Sequence, residues 1–209
     1  MSLVFSPLSQ IVKSLDLPES FISEINGNQE SIESKEELFQ LIQRVGIEGG
    51  KVDEAAYMVA DLEERINLIG HKLKFIQEDQ KPSVLVLEAV NPPVFKTSEY
   101  LDEILRIVGS RVYDAQVTGG EKVFNPDVLL IISDQMESLF SDVAILLSLD
   151  EWKNTNAVKK NRVYLLDGKE QFQGYSTRIA DDIEVLAEII YPQYLTFGGN
   201  GESWVQFEV

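Results

Sequence analysis

Apolar residues recur along residues 52–76 at Val52, Ala55, Ala56, Val59, Leu62, Ile66, Ile69, Leu73 and Ile76. Spacings of three and four draw one continuous stripe on a helix of 3.6-residue period. No turn cluster interrupts the run before Asp79, Gln80, Lys81 and Pro82. At ~1.5 Å per residue the helix is about 37 Å long, the diameter of a small domain. Its other face is mainly polar, so it is expected to be a spine between two lobes.

The segments before the spine are short. Ser6 is placed to cap a helix, and Pro7 suits its first position, where the missing N–H is no loss. Leu8, Ile11, Val12 and Leu15 follow on one face, and residues 3–5 ahead of them suit a short strand. Phe21, Ile22 and Ile25 form a brief apolar patch ended by the turn signal Asn26-Gly27-Asn28. Ser34-Lys35-Glu36-Glu37 is a capping box for a helix with Leu38, Leu41, Ile42 and Val45 on one face. Gly46 is its expected stop.

Beyond residue 81 the period changes. Val84-Leu85-Val86-Leu87, then residues 128–132, are continuous apolar runs, as in strands buried on both faces, and Arg162-Val163-Tyr164-Leu165-Leu166 is a third expected strand. Helices are expected between them. One is capped by Thr97 or Ser98 and closed by Gly109, and another lies near residues 142–149. A last helix carries Ile179, Ile183, Leu186 and Ile190 and stops at Pro192. Strands alternating with helices predict an α/β unit with a parallel sheet in three layers. Ligands of such sheets sit outside the carboxyl ends of the strands, here the loops at 88–96, 133–140 and 167–176. The alternating tail Ser203-Trp204-Val205-Gln206-Phe207 suits an added edge strand.

Charge narrows the partners. Acidic residues number 35 against 18 basic, a formal net charge of −17. Nucleic acid and anionic membrane surfaces require clustered Lys and Arg, so neither is expected as a partner. There is no cysteine and one histidine, His71. A metal site needs several such ligands, so no metal or cofactor is expected and His71 reads as solvent-facing. No nucleophile elbow, Walker loop or HExxH is present, and a non-enzymatic protein is expected. No apolar run reaches the roughly 18 residues of a membrane span, and residues 1–5 are too short for a signal peptide. The expected location is periplasmic or cell-envelope if a signal segment was removed, and otherwise cytoplasmic.

Several segments resemble the class III periplasmic-type substrate-binding proteins, which serve ABC importers of cobalamin, haem and ferric siderophores. Asn125-Pro126-Asp127-Val128-Leu129-Leu130-Ile131 is similar to the family's PD strand. Trp152 and the run from Asn156 to Asp167 resemble its "AVknnrVy.lD" segment. Phe172-Gln173-Gly174-Tyr175-Ser176-Thr177-Arg178 resembles the "F..yGsR" loop, and Leu186 to Pro192 the closing "LaeiihP". Ser6-Pro7-Leu8 through Leu17 resembles the family opening, and the spine matches its interlobe connector. The resemblance implies a spine helix (51–80) joining a reduced amino-terminal lobe (1–50) to a parallel-sheet three-layer carboxy-terminal lobe (81–209). The reduction lies between Leu17 and Ser34, where the family has a second PD strand, and the helix before the carboxy-terminal PD strand shrinks to residues 120–124.

A metal chelate of this kind is a flat apolar disc with polar edges, which calls for aromatic walls and a few hydrogen bonders. The rim loops offer Phe95, Phe172 and Tyr175 as walls and Asn91, Asp134, Gln135 and Gln173 as polar partners. Phe95 and Phe172 either face the ligand or pack under their own loops. Arg178 either reaches a ligand carboxylate or phosphate or pairs with Asp181 or Asp182. For contact with an importer's membrane subunit the resemblance implies lobe carboxylates, here Glu99, Asp102 and Glu103; helix-dipole stabilisation accounts for first-turn acids equally. Trp204 is a partner contact if exposed and a core residue if tucked inward. Two functions follow: delivery of a cobalamin-like, haem or ferric-siderophore ligand to an ABC importer, or an interaction module that has lost small-ligand transport and associates with itself or another protein.

Overall fold

The computed structural model describes residues 6–25, 31–112, 125–169 and 171–208. In chain order the elements are α1 (Pro7–Ser14), α2 (Phe21–Glu24), α3 (Lys35–Glu48), α4 (Val52–Leu73), β1 (Ser83–Val90), β2 (Pro93–Phe95), α5 (Glu99–Ile107) and β3 (Arg111–Val112). They continue as β4 (Val128–Ser133), α6 (Met136–Ser148), α7 (Asp150–Lys153), α8 (Asn156–Lys159), β5 (Val163–Asp167), α9 (Ile179–Ile190) and β6 (Trp204–Gln206). The expected strand at 3–5 and the shortened helix at 120–124 fall outside the described residues.

One mixed sheet organises the chain in the order β2-β1-β4-β5-β6, with β3 also on β1. β1, β4 and β5 run parallel, whereas β2 and β6 close the two edges antiparallel. Alternate residues of each strand point to opposite faces. Val84, Val86, Val128, Leu130, Ile132, Tyr164 and Leu166 join a core with α1, α3, α4, α5 and α9. Leu85, Leu87, Leu129, Ile131, Val163 and Leu165 pack on the other side against Val143, Trp152, Ala157 and Val158. The unbroken apolar runs are thus strands covered by helices on both faces.

Asp127, the acid of the PD motif, pins the start of this sheet. Its Oδ2 accepts from the Ser83 N–H at 2.9 Å and the Ser83 hydroxyl at 2.8 Å, and its Oδ1 accepts from Asn156 Nδ2 at 3.0 Å. Burial pushes its carboxyl up, but these hydrogen bonds outweigh that and hold it below the usual carboxylate range.

α4 presents one buried stripe, Ala55, Val59, Leu62, Ile66, Ile69 and Leu73, along its whole length. Its first half packs on α3, and Arg65 reaches across to α9, donating to Glu184 at 2.8 Å and Asp181 at 2.6 Å. The apolar core runs without a break from α1 through α4 to α9. Among the described residues no helix is long and apolar enough to cross a membrane.

Local signals place several ends correctly. Ser34 Oγ accepts from the Glu37 N–H at 3.3 Å, while Glu37 reaches back one residue beyond the cap, to the Glu33 N–H at 2.8 Å. Ser98, not Thr97, caps α5, and Gly109 follows that helix with a φ of 67°. Gly46 is a correction: α3 continues past it to Glu48. It is not a stop but the point where α3 touches α4. α6, expected near residues 142–149, begins earlier, at Met136.

Candidate ligand-binding rim

The carboxyl ends of β1, β4 and β5 open on three loops, and short hydrogen bonds tie two of them together. The Gly168 N–H donates to the Ser133 carbonyl at 2.9 Å. A Cβ on Gly168 would lie 3.1 Å from the Ser133 carbonyl carbon, so this approach favours glycine. Gln173 Nε2 donates to the Gly168 carbonyl, and the Gln135 N–H donates to Ser133 Oγ at 3.1 Å. On the other side β2 folds back on β1 with Phe95 paired to Leu87.

Of the expected ligand contacts, Asn91, Phe95, Asp134, Gln135 and Gln173 face solvent on this rim. Phe95 is 40% exposed and is the aromatic wall the rim offers. Phe172 and Tyr175 are corrections, because both are buried. Phe172 turns inward at a φ of 58°, and its N–H donates to Asp182 Oδ2 at 2.9 Å. The Tyr175 ring meets Tyr100 edge-on at 4.9 Å. Its hydroxyl lies 2.9 Å from the Glu33 carbonyl and also contacts the Glu103 carboxylate. Burial, then Glu103, pushes the Tyr175 phenol well above its ordinary value. The segment before α3 therefore covers the position where a Tyr175 wall would stand. Arg178 takes the ion-pair alternative, its Nε lying 3.4 Å from Asp181.

The partner candidates divide similarly. Glu99 is exposed in the first turn of α5, and Asp102 lies 3.9 Å from Arg106. Glu103 is engaged by Tyr175 rather than offered outward. Trp204 is corrected to an interior residue: it packs edge-on against Tyr164 at 5.5 Å, and its Nε1 donates to Glu188 at 3.4 Å. Alternation along β6 turns it inward, onto the core face.

Among the described residues, the buried carboxylates Asp182 and Glu188 escape sequence reasoning. Their only signal is that α9 is apolar on nearly every side, so an acid there has no polar face to occupy. Glu188 anchors the tail by accepting from the N–H groups of Phe197 at 3.2 Å, Gly198 at 3.1 Å and Gly199 at 3.0 Å, besides Trp204. Burial pushes its carboxyl up, and those donors more than offset it, leaving it below the ordinary value. Its contribution to stability is therefore present above the unfolded-state value and lost as the pH falls. Glu188→Ala strands these donors and is expected to cost about 2 kcal/mol. Urea unfolding measures this, and a red-shifted Trp204 emission should accompany it; an unchanged midpoint would mean the tail is held by apolar contacts alone.

Among the described residues no group of three or more His, Asp or Glu is placed to hold a metal ion.

The sequence model of the periplasmic binding protein family matches residues 8–170. An ABC transporter substrate-binding lipoprotein of Bacillus subtilis (strain 168) is 26% identical over 169 residues, 77% of this chain and 52% of the relative. The chain thus spans about half the length of that curated relative. An ABC transporter substrate-binding protein from Listeria monocytogenes EGD-e superposes with a TM-score of 0.69 at 18% identity, covering 90% of this chain and 97% of the other. IsdE of S. aureus, crystallised with heme, gives 0.66 at 17% identity with the same coverage. A periplasmic heme-binding protein from Pseudomonas aeruginosa gives 0.64 at 18% identity, covering 92% of this chain and 74% of that one.

Proposed function

Because this chain belongs to the periplasmic binding protein family, we propose that it is the substrate-binding component of an ABC importer and takes up a metal chelate: cobalamin-like, haem or a ferric siderophore. The observation that carries this is the set of loops at the carboxyl ends of β1, β4 and β5, which expose Asn91, Asp134, Gln135 and Gln173, with Phe95 exposed on the adjoining edge strand β2. Its role is non-enzymatic: the rim groups bind and orient. The similar solved proteins include two whose names specify heme, and the Bacillus subtilis relative is a lipoprotein, which favours an extracytoplasmic location. In this reading residues 1–50 are a reduced amino-terminal lobe, and Glu99 and Asp102, the latter beside Arg106, are the carboxylates that meet a membrane subunit.

Absorbance titration of the purified chain with cyanocobalamin, haem and a ferric siderophore tests the proposal. A saturable change at micromolar ligand is expected with at least one, weakened about tenfold by Phe95→Ala, whose side chain supplies the stacking surface. Phe172→Ala and Tyr175→Ala are poor probes, since both open the core. No change with any of the three ligands favours the second reading, an interaction module without small-ligand transport. The Glu33 carbonyl over the Tyr175 hydroxyl supports that reading, because it removes one aromatic wall from the rim.

A further inference from the structure

The outer face of α4 carries a second stripe. Tyr57, Asp61, Glu64, Leu68, His71 and Phe75 follow at spacings of four, three, four, three and four. At roughly 100° per residue they keep within about 40° of one line, directly opposite the buried stripe. This is the repeat of a coiled-coil seam. Its apolar members are unusually open: Tyr57 is 75% exposed, Leu68 50% and Phe75, just past the last turn, 81%. Isolated exposed apolar residues need no explanation, but three in register along about 27 Å of one helix do.

The order of the stripe is self-complementary. Laid antiparallel on a second copy about a two-fold axis at Ile66, Tyr57 meets Phe75, Asp61 meets His71 and Glu64 meets Leu68. Charge selects this direction. The amino-terminal half carries Asp53, Asp61 and Glu64, whereas the other end carries Lys72 and Lys74, the latter with its Nζ 4.9 Å from the Phe75 ring centre. An antiparallel pair sets the acidic half against the basic end, and a parallel pair sets like against like. Beside Tyr57 lies a hollow of about 560 Å³, lined by Leu15 and Met58 and rimmed by Asp53, Glu54 and Asp61.

We propose that two copies of this chain pair antiparallel through the outer faces of α4, with Tyr57 of each packed on Phe75 of the other. The contact is isologous and closes at two copies. A seam one helix wide, between chains of net charge −17, makes a weak dimer, with a Kd of roughly micromolar order or above. The proposal is independent of the ligand reading.

The chain has no cysteine, so Tyr57→Cys and Phe75→Cys each introduce one thiol on an exposed position. Mixed and oxidised, the two variants are expected to form a disulfide-linked dimer containing one of each. The mixture keeps an intact Tyr57–Phe75 contact at the other end of the seam. Each variant oxidised alone should stay monomeric, because like positions lie about 27 Å apart, far beyond disulfide reach. Sedimentation equilibrium of the unaltered chain should show dimer at high concentration, with a Kd raised at least tenfold by Leu68→Glu. A chain that stays monomeric throughout, Tyr57→Cys linking to itself, or a dimer indifferent to Leu68→Glu would each overturn the proposal.

Discussion

Asp182→Asn is expected to remove a fall in stability of up to about 4 kcal/mol that the unaltered chain undergoes between roughly pH 4 and pH 7. Asp182 lies inside α9, almost wholly buried. Its Oδ2 accepts from the Tyr100 hydroxyl at 2.6 Å and the Phe172 N–H at 2.9 Å, while Oδ1 has no hydrogen-bond partner among the described residues. Burial disfavours the charge and pushes the carboxyl up. The Tyr100 and Phe172 hydrogen bonds and the Arg178 charge pull it down, Asp181 pushes it up further, and the net value is about 7. In the unfolded chain an aspartate releases its proton near pH 3.9. Between the two values the native state holds a proton the unfolded state has lost, so stability falls as the pH rises. It is highest below the unfolded value and levels off above about pH 7.

The asparagine keeps an oxygen for Tyr100 and Phe172 and never ionises. Its amide nitrogen takes the place of the unpartnered oxygen, at a cost of about 1–3 kcal/mol that does not change with pH. Urea unfolding of both proteins from pH 4.5 to 8 therefore reads the slope of their difference, expected to approach about 1.4 kcal/mol per pH unit. Parallel profiles would mean that the native carboxyl ionises as readily as the unfolded one. Burial and the Asp182 charge hold the Tyr100 phenol well above its usual value, so it stays protonated and a donor to Asp182 across this pH range.

Gly46→Ala should destabilise the chain by about 3 kcal/mol, although alanine is the better helix former by about 1 kcal/mol. The added Cβ would fall 2.3 Å from the Ala55 Cβ and 2.9 Å from the Lys51 carbonyl oxygen. Neither obstacle is the end of a flexible side chain, so α3 and α4 must separate to admit it. The segment at the junction is equally tight, with the Lys51 N–H donating to the Gly46 carbonyl. Denaturant midpoints measure the loss. Gly46→Ala combined with Ala55→Gly should recover only part of it, because the Lys51 carbonyl remains. A loss below 1 kcal/mol would show that the helix pair slides apart cheaply.

Both residues mark where sequence reading stopped. Gly46 looks like a helix stop because glycine usually sits there, and nothing local says that Ala55 will pass within contact distance. Asp182 looks like an ordinary helix acid, paired with Asp181; only the surrounding α5 and rim loop make it a buried acceptor. Phe172 and Tyr175 sit in the rim loop as expected, yet the loop turns both inward. The solvent-facing rim of Asn91, Phe95, Asp134, Gln135 and Gln173 was legible, because it follows from strand direction and the position of the loops.

The sequence by itself determined the main helices and the three central strands, the caps at Ser6 and Ser34, the parallel centre of the sheet and the family. These depend on periodicity and on hydrogen bonds spanning only a few residues, which a linear pattern records. Tertiary structure alone decided which of two similar groups is buried: Asp182 rather than Asp181, Trp204 inward and Phe95 outward. Burial and the supply of hydrogen-bond partners there depend on elements far away in the chain. Glu33 meets Tyr175, Tyr100 meets Asp182 and Gly46 admits α4 only once the sheet has brought them together.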